Sequence, residues 1–111
     1  MADTGVSVVL CTFPDLAQAR QIGTALVEKQ LAACVNLVPK IESIYQWEGE
    51  TCRDEEVLAV FKLAEAGFAE FSAELNERHP YDVPEIIALP VTAGSEGYLD
   101  WVSDNGHCSK S

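Results

Sequence analysis

Basic side chains are scarce in this sequence: seven Lys and Arg stand against eighteen Asp and Glu, for a formal charge of −11 and a pI near 4.3. The few cations are scattered, so no basic stripe is available to neutralise a phosphate backbone, and nucleic acid is excluded as an expected partner. Long apolar runs are missing as well. No stretch approaches the roughly 20 residues needed to cross a bilayer, and residues 1–12 carry no basic residue ahead of their apolar run, so neither membrane insertion nor export is expected. The four cysteines, at 11, 34, 52 and 108, include no CxxC pair and no dense framework. Free thiols in a reducing compartment follow, and with them a cytoplasmic address. GxSxG, P-loop and HExxH motifs are absent too, which argues against an enzyme.

Nearly half the residues are hydrophobic and the charged share is ordinary, as in a chain that folds around a core. At 111 residues there is apolar surface for one core, and with no linker or low-complexity tract residues 1–111 read as a single domain, its core at about 6–102. The acidic surplus reads first as a solubilising surface.

Residues 6–11 (VSVVLC) predict a first strand, and Asp15 after Pro14 is a ready helix cap. Leu16, Ala19, Ile22 and Leu26 recur at spacings of three and four, the stripe of a helix ending near Gln30. Val35, Leu37, Ile41, Tyr45 and Trp47 then share odd positions, as on one face of a strand. That strand would span about 40 Å if fully extended, more than so small a domain is wide, so it bends or protrudes. Pro39 cannot donate to a ladder and marks the place for a bulge. Glu48-Gly49-Glu50 reads as a turn, and residues 56–63 (EVLAVFKL) as a returning central strand. Phe68, Phe71 and Leu75 mark a second helix stopped by Pro80, with Arg78 and His79 in its last turn. A strand at 86–91 and a short helix capped by Ser95 complete the order β-α-β-β-α-β-α, leaving a polar tail at 104–111.

That order predicts an α+β fold: a ferredoxin-like split βαβ sandwich with an antiparallel sheet, a long β2-β3 hairpin and an added C-terminal helix. Tyr45 and Trp47 near the tip of an overlong hairpin have too little domain beneath them to be covered, so a partner subunit is expected.

Several stretches resemble the CutA divalent-cation tolerance family: VVLCT at 8–12, LAACVN at 31–36, YQWEG at 45–49, Glu56 and Lys62 in the returning strand, HPYDVPE at 79–85, Pro90-Val91, and GYLDW at 97–101. Each piece is short, but so many in one order at compatible spacing form a specific signal. The resemblance implies a compact homotrimer with strands continued across subunit boundaries, a fold similar to PII-type signalling proteins, and tolerance to divalent cations, copper in particular. It also implies a copper site made of a first-strand cysteine and two adjacent histidines, positions that read Cys11, Arg78 and His79 here. Arg78 departs, because a guanidinium has no lone pair for a metal. Cys11 and His79 remain as metal candidates, since thiolate and imidazole suit copper or zinc. The alternatives are a packing cysteine and a helix-terminal histidine.

Clefts between subunits of such a trimer offer sites for a small molecule, and Tyr45, Trp47, Lys62, Tyr81, Glu85 and Trp101 are candidates either to line one or to pack the interface. Lys62, a cation in an apolar strand, requires a carboxylate such as Glu56 or Glu85, or an anionic ligand. Cys34 and Cys52 read as packing or incidental thiols, and His107-Cys108 as neighbours that do not converge on an ion. No metal is needed for folding.

Overall fold

The structure is a computed structural model in which residues 3–107 are described. Its elements run β1 (Val6–Phe13), α1 (Leu16–Glu28), β2 (Cys34–Trp47), β3 (Glu50–Ala64), a 3-10 turn at Glu65–Gly67, α2 (Phe68–Arg78), β4 (Ile86–Pro90) and α3 (Glu96–Asn105). The four strands form one antiparallel sheet in the order β2-β3-β1-β4, the split βαβ arrangement read from the sequence.

Local chemistry sets the boundaries. Asp15 caps α1 by accepting the Gln18 N–H at 2.8 Å, and its other oxygen takes the Gln18 amide at 2.8 Å. The helix ends at Glu28, two residues before the expected end, because Gln30 takes a left-handed φ of 61° and turns the chain back. Ala19, Ile22 and Leu26 are buried on its inner face, where Gly23 lies against Val35: a Cβ there would sit 3.2 Å from Val35 Cγ1. Val9, Cys11, Phe13, Val57, Ala59, Phe61 and Leu63 fill the helix-facing side of the sheet, and Phe61 meets Phe71 of α2 edge to face at 4.9 Å. A second cluster of Val6, Ala33 and Val102 seats α3 at the end of the sheet.

The hairpin is longer than its sequence suggested. β3 begins at Glu50, not Glu56, and β1 pairs with it only from Val57 onward, so 50–56 is paired on one side alone. Overhang makes the chain elongated, with principal extents of 43 × 30 × 22 Å and a radius of gyration of 14.6 Å against about 13 Å for a compact domain of this size. At the tip Glu48 and Gly49 both have positive φ, 50° and 82°, the two-residue turn whose twist matches the strands.

One feature of β2 departs from its reading as a uniformly alternating strand. Val38 pairs with Leu58 but Ile41 pairs with Glu56, so Pro39 and Lys40 together oppose Val57. Lys40 absorbs the extra residue at φ 62°. A one-residue insertion inverts the alternation. Val35 and Leu37 therefore sit on the face shared with Phe61 and Ala59, whereas Ile41, Tyr45 and Trp47 lie on the opposite face with Glu56, Cys52 and Glu50.

That opposite face is not covered by α1 and α2. Register places Val8, Leu10, Leu58 and Val60 on it with Ile87 and Leu89, and the last two are about half exposed at 50% and 48%.

The helix α3 continues through Asn105, so the polar tail begins later than expected. Cys108 lies outside the described residues. Among the described residues no helix is long and apolar enough to cross a membrane.

Candidate functional site

The end of β1, the C-terminus of α2 and the base of the hairpin meet at one corner. His79 follows the last turn of α2 and is buried, its ring stacked on Phe13 at a centroid distance of 4.6 Å. Its Nε2 lies 2.8 Å from the Thr12 carbonyl oxygen, which can only accept, so Nε2 carries the proton. Nδ1 then holds the lone pair, and it accepts the Tyr81 N–H at 3.1 Å. Burial holds the imidazole below its ordinary pKa and therefore neutral.

Cys11 lies two residues before Phe13 on the same face of β1 and is fully buried. Its thiol points at the same Thr12 carbonyl, with Sγ 3.7 Å from the oxygen. Burial, with the negative charges of Glu85 and Glu56 adding to it, pushes the thiol pKa up to about 12. Arg78, at the remaining copper-site position, pairs with Glu74 at 2.7 Å.

This donor set does not fit a copper ion as folded. Both His79 nitrogens are engaged, the Cys11 thiol is fully buried against the Thr12 carbonyl, and Arg78 offers no lone pair. Among the described residues no group of three or more His, Cys, Asp or Glu side chains is arranged to hold a metal. Cys11 and His79 are brought to one carbonyl oxygen, not to one ion.

Beyond His79 the chain runs through Pro80 to Glu85 beside the hairpin and encloses a cleft of about 750 Å³. Tyr45, Trp47, Tyr81 and Glu85, four of the six candidates for a cleft or interface, line it. Tyr81 donates its hydroxyl to Glu56 Oε2 at 2.6 Å, and Tyr45 donates to Asp54 Oδ2. Desolvation and the Glu56 carboxylate raise the Tyr81 pKa, and the Asp54 bond raises that of Tyr45 to about 12. The sequence reading missed Asp54, whose place in the cleft follows from the bulge that puts Tyr45 on its face.

Lys62 and Trp101 are not part of this cleft. Lys62 lies opposite Cys34 and donates its ammonium to Asn36 Oδ1, with the Val60 carbonyl at 3.5 Å, so neither expected carboxylate is its partner. Register explains this: Glu56 is six residues down the same strand, and Glu85 precedes β4 at the far end. Trp101 lies on α3 against Tyr98 at 5.7 Å, and the Tyr98 hydroxyl is 3.4 Å from Cys34 Sγ. Cys34 and Cys52 are free, partly exposed thiols.

Comparison with known proteins agrees with this architecture. Residues 7–105 match the family described as CutA1 divalent ion tolerance protein. The divalent-cation tolerance protein CutA of Thermus thermophilus is 48% identical over 98 residues, covering 88% of this chain and 95% of that protein. Protein CutA, chloroplastic, of Arabidopsis thaliana is 42% identical over 98 residues, which is 88% of this chain and 54% of that longer protein. The solved structure of the Thermus thermophilus divalent cation tolerance protein superposes with a TM-score of 0.88 at 47% identity, over 90% of this chain and 97% of that one. The chain belongs to the CutA1 divalent ion tolerance protein family.

Proposed function

We propose that this chain acts as a homotrimer in tolerance of divalent cations, and that it does so by binding and not by catalysis. The observation that carries the proposal is the uncovered sheet face, where Val8, Leu10, Val60, Ile87 and Leu89 form an apolar surface beside an overhanging strand with one unpaired edge. Apolar faces of that kind are covered by subunits, and an unpaired edge accepts a strand. A divalent cation, copper among the candidates, is the ligand we propose, attracted by the net charge of −11 and not gripped by a converging donor set among the described residues. Among the described residues Cys11 and His79 do not form a nucleophile and base pair, since the buried thiol has a raised pKa and the His79 lone pair is already in use, which supports binding over catalysis. The proposed compartment is the cytoplasm, on the strength of three free cysteines among the described residues.

Calorimetric titration of the purified chain with copper(I) and zinc(II) under reducing conditions tests the assignment of ligands. Weak, salt-sensitive binding that is unchanged in Cys11→Ser and His79→Gln is expected. Tight stoichiometric binding lost in Cys11→Ser would overturn it and return the cysteine to a metal role.

A second reading, a module that binds a small molecule, is favoured by one observation: the cleft of about 750 Å³ is of the size that holds a small organic ligand, far larger than an ion needs.

A further inference from the structure

The chain holds three asparagines, at 36, 76 and 105, and only Asn105 is followed by glycine. An Asn-Gly pair is chemically labile. With no Cβ on the following residue, the main-chain nitrogen reaches the side-chain amide carbon with little hindrance, and the backbone is free to adopt the conformation that the reaction needs.

The fold places this pair in a seam that closes the C-terminal end of α3. Asn105 is the last residue of the helix and turns its side chain back, Nδ2 donating to the Trp101 carbonyl at 2.9 Å. Gly106 is buried: its N–H donates to the Val102 carbonyl at 2.7 Å, and its own carbonyl accepts the Ala64 N–H at 3.1 Å. The fit leaves no room, since a Cβ at Gly106 would stand 2.8 Å from Leu63 Cα and 3.0 Å from the Ala64 nitrogen. His107 continues the seam, its ring so near Gly67 that a Cβ there would lie 2.9 Å from Cδ2. Packing against β3 thus requires glycine at 106, and that same glycine makes Asn105 labile.

We propose that Asn105 is a site of spontaneous deamidation, latent while this seam is closed and reactive once it opens, and that the longer backbone of its isoaspartyl product then holds the seam open. In the reaction the Gly106 nitrogen gives its proton to solvent base and bonds to Asn105 Cγ, the Cγ–Nδ2 bond breaks, and ammonia leaves. Water then opens the cyclic imide at either carbonyl, leaving aspartate or an isoaspartyl linkage at 105. In the closed seam both reacting groups are committed elsewhere, the nitrogen to Val102 and the side-chain amide to Trp101. The isoaspartyl linkage adds a methylene carbon to the main chain, and a seam with no room for a Cβ at Gly106 has none for that carbon. All of these contacts lie within one chain, and latency requires no exposure of Asn105 or Gly106 in the folded state.

The test is incubation of the full chain at neutral pH, native and in urea, with peptide mapping that resolves asparagine, aspartate and isoaspartate at each site. In urea, conversion at Asn105 is expected well ahead of Asn36 and Asn76, and in the native chain Asn105 should convert at roughly a tenth of its urea rate or less. Equal rates at Asn105 in both states would overturn its latency. No preference for Asn105 in urea would overturn the site itself. Chain converted in urea and refolded, set beside Asn105→Asp, separates the longer backbone from the added charge. Hydrogen exchange at the Ala64 amide, whose acceptor is the Gly106 carbonyl, should speed up about tenfold or more in the isoaspartyl chain and change little in Asn105→Asp. An isoaspartyl chain that protects Ala64 as the unmodified chain does, or an equal loss of protection in Asn105→Asp, would overturn the claim that the longer backbone holds the seam open.

Discussion

His79 donates its Nε2 proton to the carbonyl of Thr12 at 2.8 Å while stacking on Phe13, the next residue of β1. This single side chain ties the end of α2 to the end of the first strand, and its other nitrogen fixes the turn into the 80–85 segment through the Tyr81 N–H. The imidazole must be neutral to do both. Its pKa is lowered in the fold by burial, so the unfolded chain binds the proton first as pH falls. The stability it supplies is complete above the ordinary value of 6.5, declines as pH drops through and below that value, and levels off once the folded ring itself titrates. Thermal unfolding measured across this window should fall more steeply for the native chain than for His79→Gln. Equal slopes would show that the ring does not contribute. At neutral pH the substitution should cost about 2 kcal/mol, for the lost ring packing and hydrogen bonds.

Cys11 should be the protected thiol. It is fully buried with a pKa near 12, whereas Cys34 and Cys52 are partly exposed. Alkylation followed by site-resolved mass spectrometry should therefore modify Cys34 and Cys52 in the native state, and Cys11 only at the rate of unfolding. Native-state labelling of Cys11 as fast as Cys52 would contradict its place in the core.

The tyrosines should ionise late. All three in the chain have raised pKa values, Tyr45 and Tyr98 to about 12, through the Asp54 and Cys34 contacts respectively, and Tyr81 mainly through desolvation. Ultraviolet titration of the folded chain should show little tyrosinate at the ordinary midpoint of 10.0. Because the raised values favour the neutral phenols, stability is complete below 10.0 and declines as pH rises through the folded values. Asp54→Asn should restore an ordinary midpoint to one tyrosine of the three, and an unchanged titration curve would count against the Tyr45–Asp54 bond.

Much of this was legible in the sequence because local chemistry agrees with the fold. The Asp15 cap, the α1 stripe and the Glu48-Gly49 turn each announce themselves in a few residues, and the element order gives the sheet. Cys11, His79 and Tyr81 could also be singled out, but not their contacts: a shared Thr12 carbonyl is a tertiary fact that residue types do not encode. The bulge was anticipated at Pro39, yet its consequence was not, since the inversion of Tyr45 and Trp47 depends on which residue is left unopposed. The first half of β3, ETCRDE, was invisible because its side chains are mostly exposed on both faces of an overhanging hairpin, which removes the burial alternation by which strands are recognised. Lys62 found an uncharged partner because the cross-strand position beside it, two residues after Cys34, is Asn36.

The uncovered face makes a prediction of its own. Val60 is half-buried on the central strand β3 and Leu89 is about half exposed on β4, both on the side away from α1 and α2. Placing a charge there, as in Val60→Asp or Leu89→Glu, should prevent subunits from closing over the face while leaving the helix-side core intact. Circular dichroism should then report a folded chain of reduced association, and variants that associate as the native chain does would show that this face is not the contact.

Sedimentation equilibrium of the native chain at low concentration probes the proposed assembly without substitution or ligand. The expected result is a single species at three times the 12.1 kDa chain mass, stable on dilution, with Val60→Asp falling to the mass of one chain. A native species at 12.1 kDa that persists as concentration is raised would contradict the homotrimer and leave the apolar sheet face without a partner.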